Sequence, residues 1–249
     1  MFWRTSSAKS YASTSGNTSI PVLSSSATSG SATSSSASGE VFINQKKAYG
    51  KFASRLAGLP DYDLMMRYPG DIFFHLNDGA IGHTNMTGPD ITRKVDSVDG
   101  VGVRSMPLDN DNNAAIVFRF KHPGLACRAA HIAQDWANTY VSGKYQNDGV
   151  GYSGGPTAGI GITGRVIGAL MGSSKFGTGA QARLFKYRHR PGMAPRHVIC
   201  SEMCILAFQL SMTEADNGFI KLDAKHALPS NLCDYMLNNP AHWTLVAKR

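Results

Sequence analysis

The segment around Cys200 has the features that a thiol nucleophile needs. The residues 196–199 predict a short strand, Ser201–Met212 predicts a buried helix, and Cys200 lies at their junction. A thiol at the start of a helix lies near the positive end of the helix dipole, which favours the reactive thiolate. The backbone N–H of Cys200 can then donate to an oxyanion that forms on a substrate. The alternative is an inert core cysteine, which is the usual fate of a free thiol.

A thiolate nucleophile also needs a base and a group that orients the base. His83 lies in a predicted strand, Gly79–Met86, beside small residues that leave room for a substrate backbone. Asp96 falls on the next predicted strand, where its carboxylate can accept from the imidazole N–H that does not face the sulfur. Asn85 is the alternative orienting residue, and an ordinary hydrogen-bonded role in the strands stays open for all of them. We predict a triad of Cys200, His83 and Asp96.

Short strands and helices must position these residues. Strands followed by helices, without regular alternation, indicate an α+β fold rather than βαβ units. The apolar pattern also indicates helical spacing over Phe52–Met66, interrupted by Pro60. The predicted strands are Ile72–Phe74, Gly79–Met86, Val98–Met106, Ala114–Phe120 and Trp243–Val246, and the predicted helices are Pro123–Tyr140, Ser201–Met212 and Asn231–Leu237.

Composition divides the chain into a leader and one domain. Residues 1–40 contain 15 Ser and 5 Thr, too polar to bury a core, so we expect a disordered leader. It is either a flexible linker or an uncleaved export address, and no Sec-type signal is visible. Residues 41–249 form the predicted folded domain, with 11 glycines between Gly149 and Gly179. Four cysteines are too few for a disulfide scaffold of this size.

The net charge limits the classes of partner. Lys and Arg total 25 against 17 Asp and Glu, a formal charge of +8, which favours anionic partners such as a cell-wall polymer, a lipid surface or nucleic acid. The basic run Arg183–His197 has interleaved aromatic residues, but no recognisable nucleic-acid module surrounds it, which disfavours nucleic acid. No run of apolar residues is long enough to span a bilayer.

Two further motifs predict little chemistry. The sequence Gly159-Ile-Gly161-Ile-Thr-Gly164 matches G-x-G-x-x-G, but no convincing strand precedes it and no acidic residue follows at the spacing of a dinucleotide site. A glycine-rich loop or lid over a cleft is the better interpretation. His197 and Cys200 have the spacing of two zinc ligands, but no second pair of ligands with such spacing accompanies them, which argues against a zinc site.

The polar motifs together resemble a family of cysteine hydrolases. Gly70-Asp71-Ile72-Phe73-Phe74, then Gly82-His83 and Val95-Asp96-Ser97, resemble the histidine half of an NlpC-type cell-wall peptidase, and Ile199-Cys200-Ser201-Glu202 resembles the nucleophile half. The histidine precedes the cysteine, an order similar to the circularly permuted, YiiX-like branch of the papain-like superfamily. The related lecithin retinol acyltransferase-like proteins share the early histidine. The resemblance covers roughly Tyr68–Met212.

This resemblance implies an antiparallel sheet packed on the nucleophile helix. It implies that Cys200 attacks an amide or ester carbonyl, that a thioester forms, and that His83 protonates the leaving group, with Asp96 as the third polar residue. No metal or cofactor is implied. The implied substrates are peptide amides of cell walls, with acyl lipids in some branches, and the leader would suit a secreted effector. A lipid acyl hydrolase or acyltransferase, and a basic binding module without catalysis, are the alternatives. The oligomeric state, the scissile bond and the location of the protein stay open.

Overall fold

Six antiparallel strands form the main sheet of this computed structural model. The model describes residues 56, 58–77, 80–98, 101–108, 115–140, 151–152, 174–189, 195 and 197–248. The predicted leader, most of the glycine-rich stretch and the Gly159–Gly164 motif lie outside these residues. The sheet strands are β1 (Ile72–Asn77), β2 (Ala80–Thr87), β3 (Arg93–Val98), β4 (Gly102–Pro107), β5 (Ala115–Phe120) and β8 (Trp243–Lys248).

The strand order explains how distant segments meet. The order is β4-β3-β2-β1-β5-β8, so the first four strands form a meander and the last strand of the chain closes the far edge. Two short strands, β6 (Gly151–Tyr152) and β7 (His197–Val198), pair with each other in parallel. The α+β class and the antiparallel sheet that we predicted are confirmed.

Four helices of the described residues complete the fold: α1 (Pro123–Tyr140), α2 (Thr178–Arg188), α3 (Cys200–Ser211) and α4 (Pro229–Asn238). Proline begins both α1 and α4, where its fixed φ and missing N–H cost nothing. Nearly all of α3 is buried, because α1 packs on one side of it and β2 and β3 pack on another. Among the described residues, no helix is long and apolar enough to cross a membrane.

Alternating side chains divide the core between the two faces of the sheet. Ile116, Phe118 and Phe120 of β5 belong to the larger core cluster, which also includes buried residues of α1, α3 and α4. Ala115 and Val117 point to the other face, in a smaller cluster with Tyr62 and Phe73. This alternation is the period of two that a half-covered strand requires. The larger cluster therefore holds α3 against the middle of the sheet.

One predicted strand was wrong in its extent. The strand predicted over Val98–Met106 corresponds to β4, which begins at Gly102, whereas Val98 is the last residue of β3. Gly102 has a φ of +87°, a conformation that favours glycine. In the described part of Phe52–Met66, Leu56 is helical, and a short 3-10 turn, Leu64–Met66, follows Pro60. The segment before this turn runs beside β8, with hydrogen bonds between Pro60 and Lys248 and between Tyr62 and Lys248.

The Gly70-Asp71 pair has a structural role. Gly70 has a φ of +81°, and an added Cβ would lie 2.5 Å from the carbonyl oxygen of Ala126 in α1. The buried Asp71 carboxylate accepts from Arg119 Nε at 2.8 Å, from Arg119 Nη2 at 2.6 Å and from the Tyr62 hydroxyl at 2.6 Å. Burial raises the pKa of Asp71, although these donors oppose the rise. The glycine and the aspartate thus fix the entry into β1 against α1 and β5.

Candidate active site

Cys200 is the first residue of α3. Ile199 precedes it in an extended conformation and donates its N–H to Oε2 of Glu202 at 3.4 Å, which stabilises the helix start. The N–H groups of a first helical turn have no partner within the helix. Cys200 therefore lies where free N–H groups and the helix dipole both favour negative charge. The residue is buried, with 4% of its surface exposed, so access to the sulfur is narrow.

The structure brings the three predicted residues together. Nε2 of His83 lies 2.6 Å from Oδ1 of Asp96, and the His83 ring lies close enough to Cys200 for the thiol to raise the pKa of His83. The His83 side chain is 33% exposed and that of Asp96 is 6% exposed, so the open side of the group is at the imidazole.

The charges of these side chains change the titration of His83. Burial lowers the pKa of His83, but the hydrogen bonds to Asp96 and Cys200, with the charges of both, raise it to about 10. An imidazolium at neutral pH is the partner that a thiolate needs. The arrangement can therefore hold a thiolate–imidazolium pair, which attacks a carbonyl and then supplies a proton to the leaving group.

A β-bulge precedes His83. His75 pairs with His83 across β1 and β2, and Leu76 pairs with Ile81, which leaves Gly82 without an opposite residue. A bulge adds one residue to one strand and changes the direction of the side chains next to it. The bulge at Gly82 thus sets the direction of the His83 ring in the first half of β2.

A buried hydrogen bond connects the sheet to the segment before α3. Ser97 Oγ donates to the carbonyl oxygen of Val198 at 2.9 Å, so the residue after Asp96 binds the chain two residues before Cys200. This bond ties the strand that carries Asp96 to the element that carries Cys200.

Asn85 does not contact His83 as the orienting residue. Its Nδ2 lies 2.8 Å from Nε2 of His75, and the His75 ring centroid is 5.6 Å from that of His83. Asn85 thus orients a second, buried histidine beside His83, and Asp96 is the residue that binds His83.

The other thiols have different surroundings. Burial raises the pKa of Cys204 and that of Cys233 well above the usual value, and the charge of Cys200 adds to the rise for Cys204. Cys127 is half-buried on α1, and all four cysteines are free. In the part of the chain that the structure describes, no group of three or more His, Cys, Asp or Glu side chains is placed to hold a metal ion.

The sequence analysis missed a second polar cluster beside α3. Asp223 accepts from Arg183 Nη2 at 2.6 Å on both oxygens and from His226 Nδ1 at 2.8 Å. The carbonyl oxygen of Ala227, the residue after His226, accepts from Ser201 Oγ at 2.7 Å. The Asp223-x-x-His226 spacing was the available signal, but Arg183 comes from a distant helix.

No protein-family model, curated protein or solved structure matches the chain.

Proposed function

We propose that the chain is a cysteine hydrolase of the permuted papain-like type that cleaves an amide bond through a thioester. The observation that carries the proposal is the 2.6 Å bond of His83 with Asp96, together with the effect on the pKa of His83 of Cys200, the first residue of a buried helix. A structural cysteine needs neither an imidazole partner nor a carboxylate behind that imidazole. The histidine-first chain order and the antiparallel sheet packed on α3 are also as the resemblance implies.

The proposed reaction assigns a role to each of the three side chains. The Cys200 thiolate attacks the carbonyl carbon, and the N–H of Cys200 donates to the oxyanion. The His83 imidazolium gives its proton to the leaving amine, and the acyl group stays on sulfur as a thioester. His83, now neutral, takes a proton from water as the water attacks the thioester, and the collapse releases the carboxylic acid and the Cys200 thiolate, so that the thiolate–imidazolium pair is restored. Asp96 holds the His83 ring and stabilises its positive charge throughout.

The proposal predicts fast and selective alkylation of one thiol. Iodoacetamide at neutral pH should modify Cys200 in preference to the buried Cys204 and Cys233, and mass spectrometry of peptides identifies the site. His83→Ala should lower the rate about 100-fold, because the imidazolium partner is lost. The control His131→Ala removes an exposed histidine of α1 and should leave the rate unchanged. Slow alkylation that does not depend on His83 would contradict catalysis and favour the binding module.

Substrate classes are then separated by two assays with the same protein. Peptide fragments of bacterial cell walls should be hydrolysed by the wild-type chain and not by Cys200→Ala. Phospholipid vesicles serve as the second substrate. If the chain released acyl groups from lipid and did not cleave peptides, the proposed activity would be that of a lipid acyl hydrolase instead of an amidase, with the same fold.

A further inference from the structure

The cluster of Arg183, Asp223 and His226 lies beside the first turn of α3. Asp223, 7% exposed, lies in the turn that leads to Ala227, and Ala227 accepts from Ser201 next to Cys200. A second link comes from α2, where Tyr187 lies one turn after Arg183. Burial and the charge of Glu202 raise the pKa of Tyr187, whereas the charge of Arg183 lowers it. Both the 223–227 turn and α2 therefore reach the start of the nucleophile helix.

Asp223 has no capacity left for a ligand. An ionised carboxylate has about four acceptor positions. Arg183 Nη2 contacts both oxygens, His226 Nδ1 lies 2.8 Å from one, and the backbone N–H of Lys225 donates to the other at 3.1 Å. Donors therefore surround the Asp223 carboxylate, and a ligand at this cluster would contact the groups of Arg183 and His226 that point away from Asp223.

The groups that remain open are suited to an anion. Arg183 has Nε and Nη1 N–H groups with no hydrogen bond to any described residue, and its side chain is 35% exposed. His226 is 29% exposed, and its Nε2 faces away from Asp223, which holds Nδ1. The Lys225 side chain is exposed on the same turn. A guanidinium with free N–H groups binds carboxylates in a fixed geometry.

We infer that Arg183 and His226 form a subsite for a substrate carboxylate, on the side of α3 where Ser201 binds Ala227. The inference rests on the proposed function and narrows its substrate class to acidic peptides or acyl groups that carry a carboxylate. Asp223 acts as a positioning residue, because it holds Arg183 and His226 and does not contact the substrate.

The test compares two alkylating reagents of similar size, iodoacetate and iodoacetamide, at one ionic strength and neutral pH. The His83 imidazolium also attracts iodoacetate, so the ratio of the two rates in each variant is compared with the wild-type ratio. Arg183→Gln should lower the iodoacetate rate about threefold or more, the effect of one nearby charge, and leave the iodoacetamide rate within about twofold. Lys186→Gln, the matched control, removes an exposed cation of the same helix and should change neither rate.

A second measurement does not require the Arg183 variant to fold. In the wild-type chain, succinate should slow alkylation by iodoacetamide, and in His226→Gln this protection should be weakened. Protection by inorganic phosphate alone would overturn the carboxylate assignment. The subsite would be rejected if Lys186→Gln and Arg183→Gln changed the iodoacetate rate equally. It would also be rejected if succinate protected His226→Gln as well as it protects the wild type. If alkylation is fast and depends on His83 while these results are negative, only the subsite is rejected and the proposed hydrolase function is retained. If both reagents alkylate Cys200 slowly, the proposed hydrolase function is itself rejected.

Discussion

At the scale of single residues, His83 determines what the site can do. Asp96 binds Nε2 of His83, and Cys200 lies close enough to raise the pKa of the same ring. A carboxylate on one nitrogen orients the ring and stabilises its positive charge. The neighbouring His75 binds Asn85, so Asp96 is the carboxylate that acts on His83.

Asp96→Asn tests this division of roles. The amide can still accept from Nε2–H but carries no charge, so the pKa of His83 should fall from about 10 toward its usual value. Alkylation of Cys200 by iodoacetamide should slow about tenfold at neutral pH. The alkaline limb of its pH–rate profile should move to lower pH. Asp63→Asn, which removes an exposed carboxylate of the 3-10 turn, is the control, and an unshifted limb in Asp96→Asn would contradict the charge role of Asp96.

Residue types and local order were enough to predict the three candidate residues. Cys200 was visible as the junction of a strand and a helix, and His83 and Asp96 as polar residues on neighbouring strands. The choice between Asp96 and Asn85 needed the register, since Asn85 lies opposite Phe73 and binds His75 of β1. Arg183 and Asp223 are 40 positions apart, so only the tertiary structure shows that they bind each other.

At the scale of elements, the turn at Gly70 determines how β1 meets α1. Its positive φ and the 2.5 Å approach of a built Cβ to the Ala126 oxygen leave no room for a side chain. The glycine is therefore needed for packing and backbone conformation, and the Asp71 that follows is needed for the ion pair with Arg119. The motif that contributed to the resemblance is thus explained by structure, without a part in the reaction.

Gly70→Ala should lower the free energy of unfolding by about 2–4 kcal/mol, because it combines backbone strain with a clash against α1. Urea unfolding followed by circular dichroism measures the change. Gly124→Ala is the matched control in α1, where an added Cβ meets no atom within 4 Å. That variant should be unchanged or more stable by up to about 1 kcal/mol, as expected for a helical glycine. Equal stability of the two variants would contradict the close packing at Gly70.

Most strands and helices could be predicted, because the spacing of apolar residues in segments such as β5 and α1 indicates their secondary structure. The predictions failed where a single backbone conformation determined the outcome. The turn at Gly102 and the short run beside β8 follow from φ angles and from pairing with a strand far along the chain. Local pattern alone contains neither kind of information.

At the scale of the whole molecule, the raised pKa of His83 links folding to pH. A group whose pKa is higher in the folded chain stabilises that chain fully below its unfolded value, near 6.5. This stabilisation is lost as the pH rises through the folded value, about 10. Solvent access to the ring reduces the size of the effect.

We therefore expect the stability difference between the wild type and His83→Gln to shrink with pH. Between about pH 6 and about pH 10 it should fall by roughly 1 kcal/mol, measured from urea midpoints at each pH. His131→Gln, at an exposed position of α1, should show no such trend. A difference that is constant, or that grows with pH, would show that His83 is not held as the charged form in the folded chain.

The bond between Ser97 and Val198 joins residues 101 positions apart. One half of the chain supplies His83 and Asp96, and the other half supplies Cys200. A cut in the backbone between α1 and α2 would leave each fragment with only part of the proposed active site. Mixing the two fragments would restore thiol reactivity only as they reassemble, so the chain could be divided there to make a reporter of fragment association.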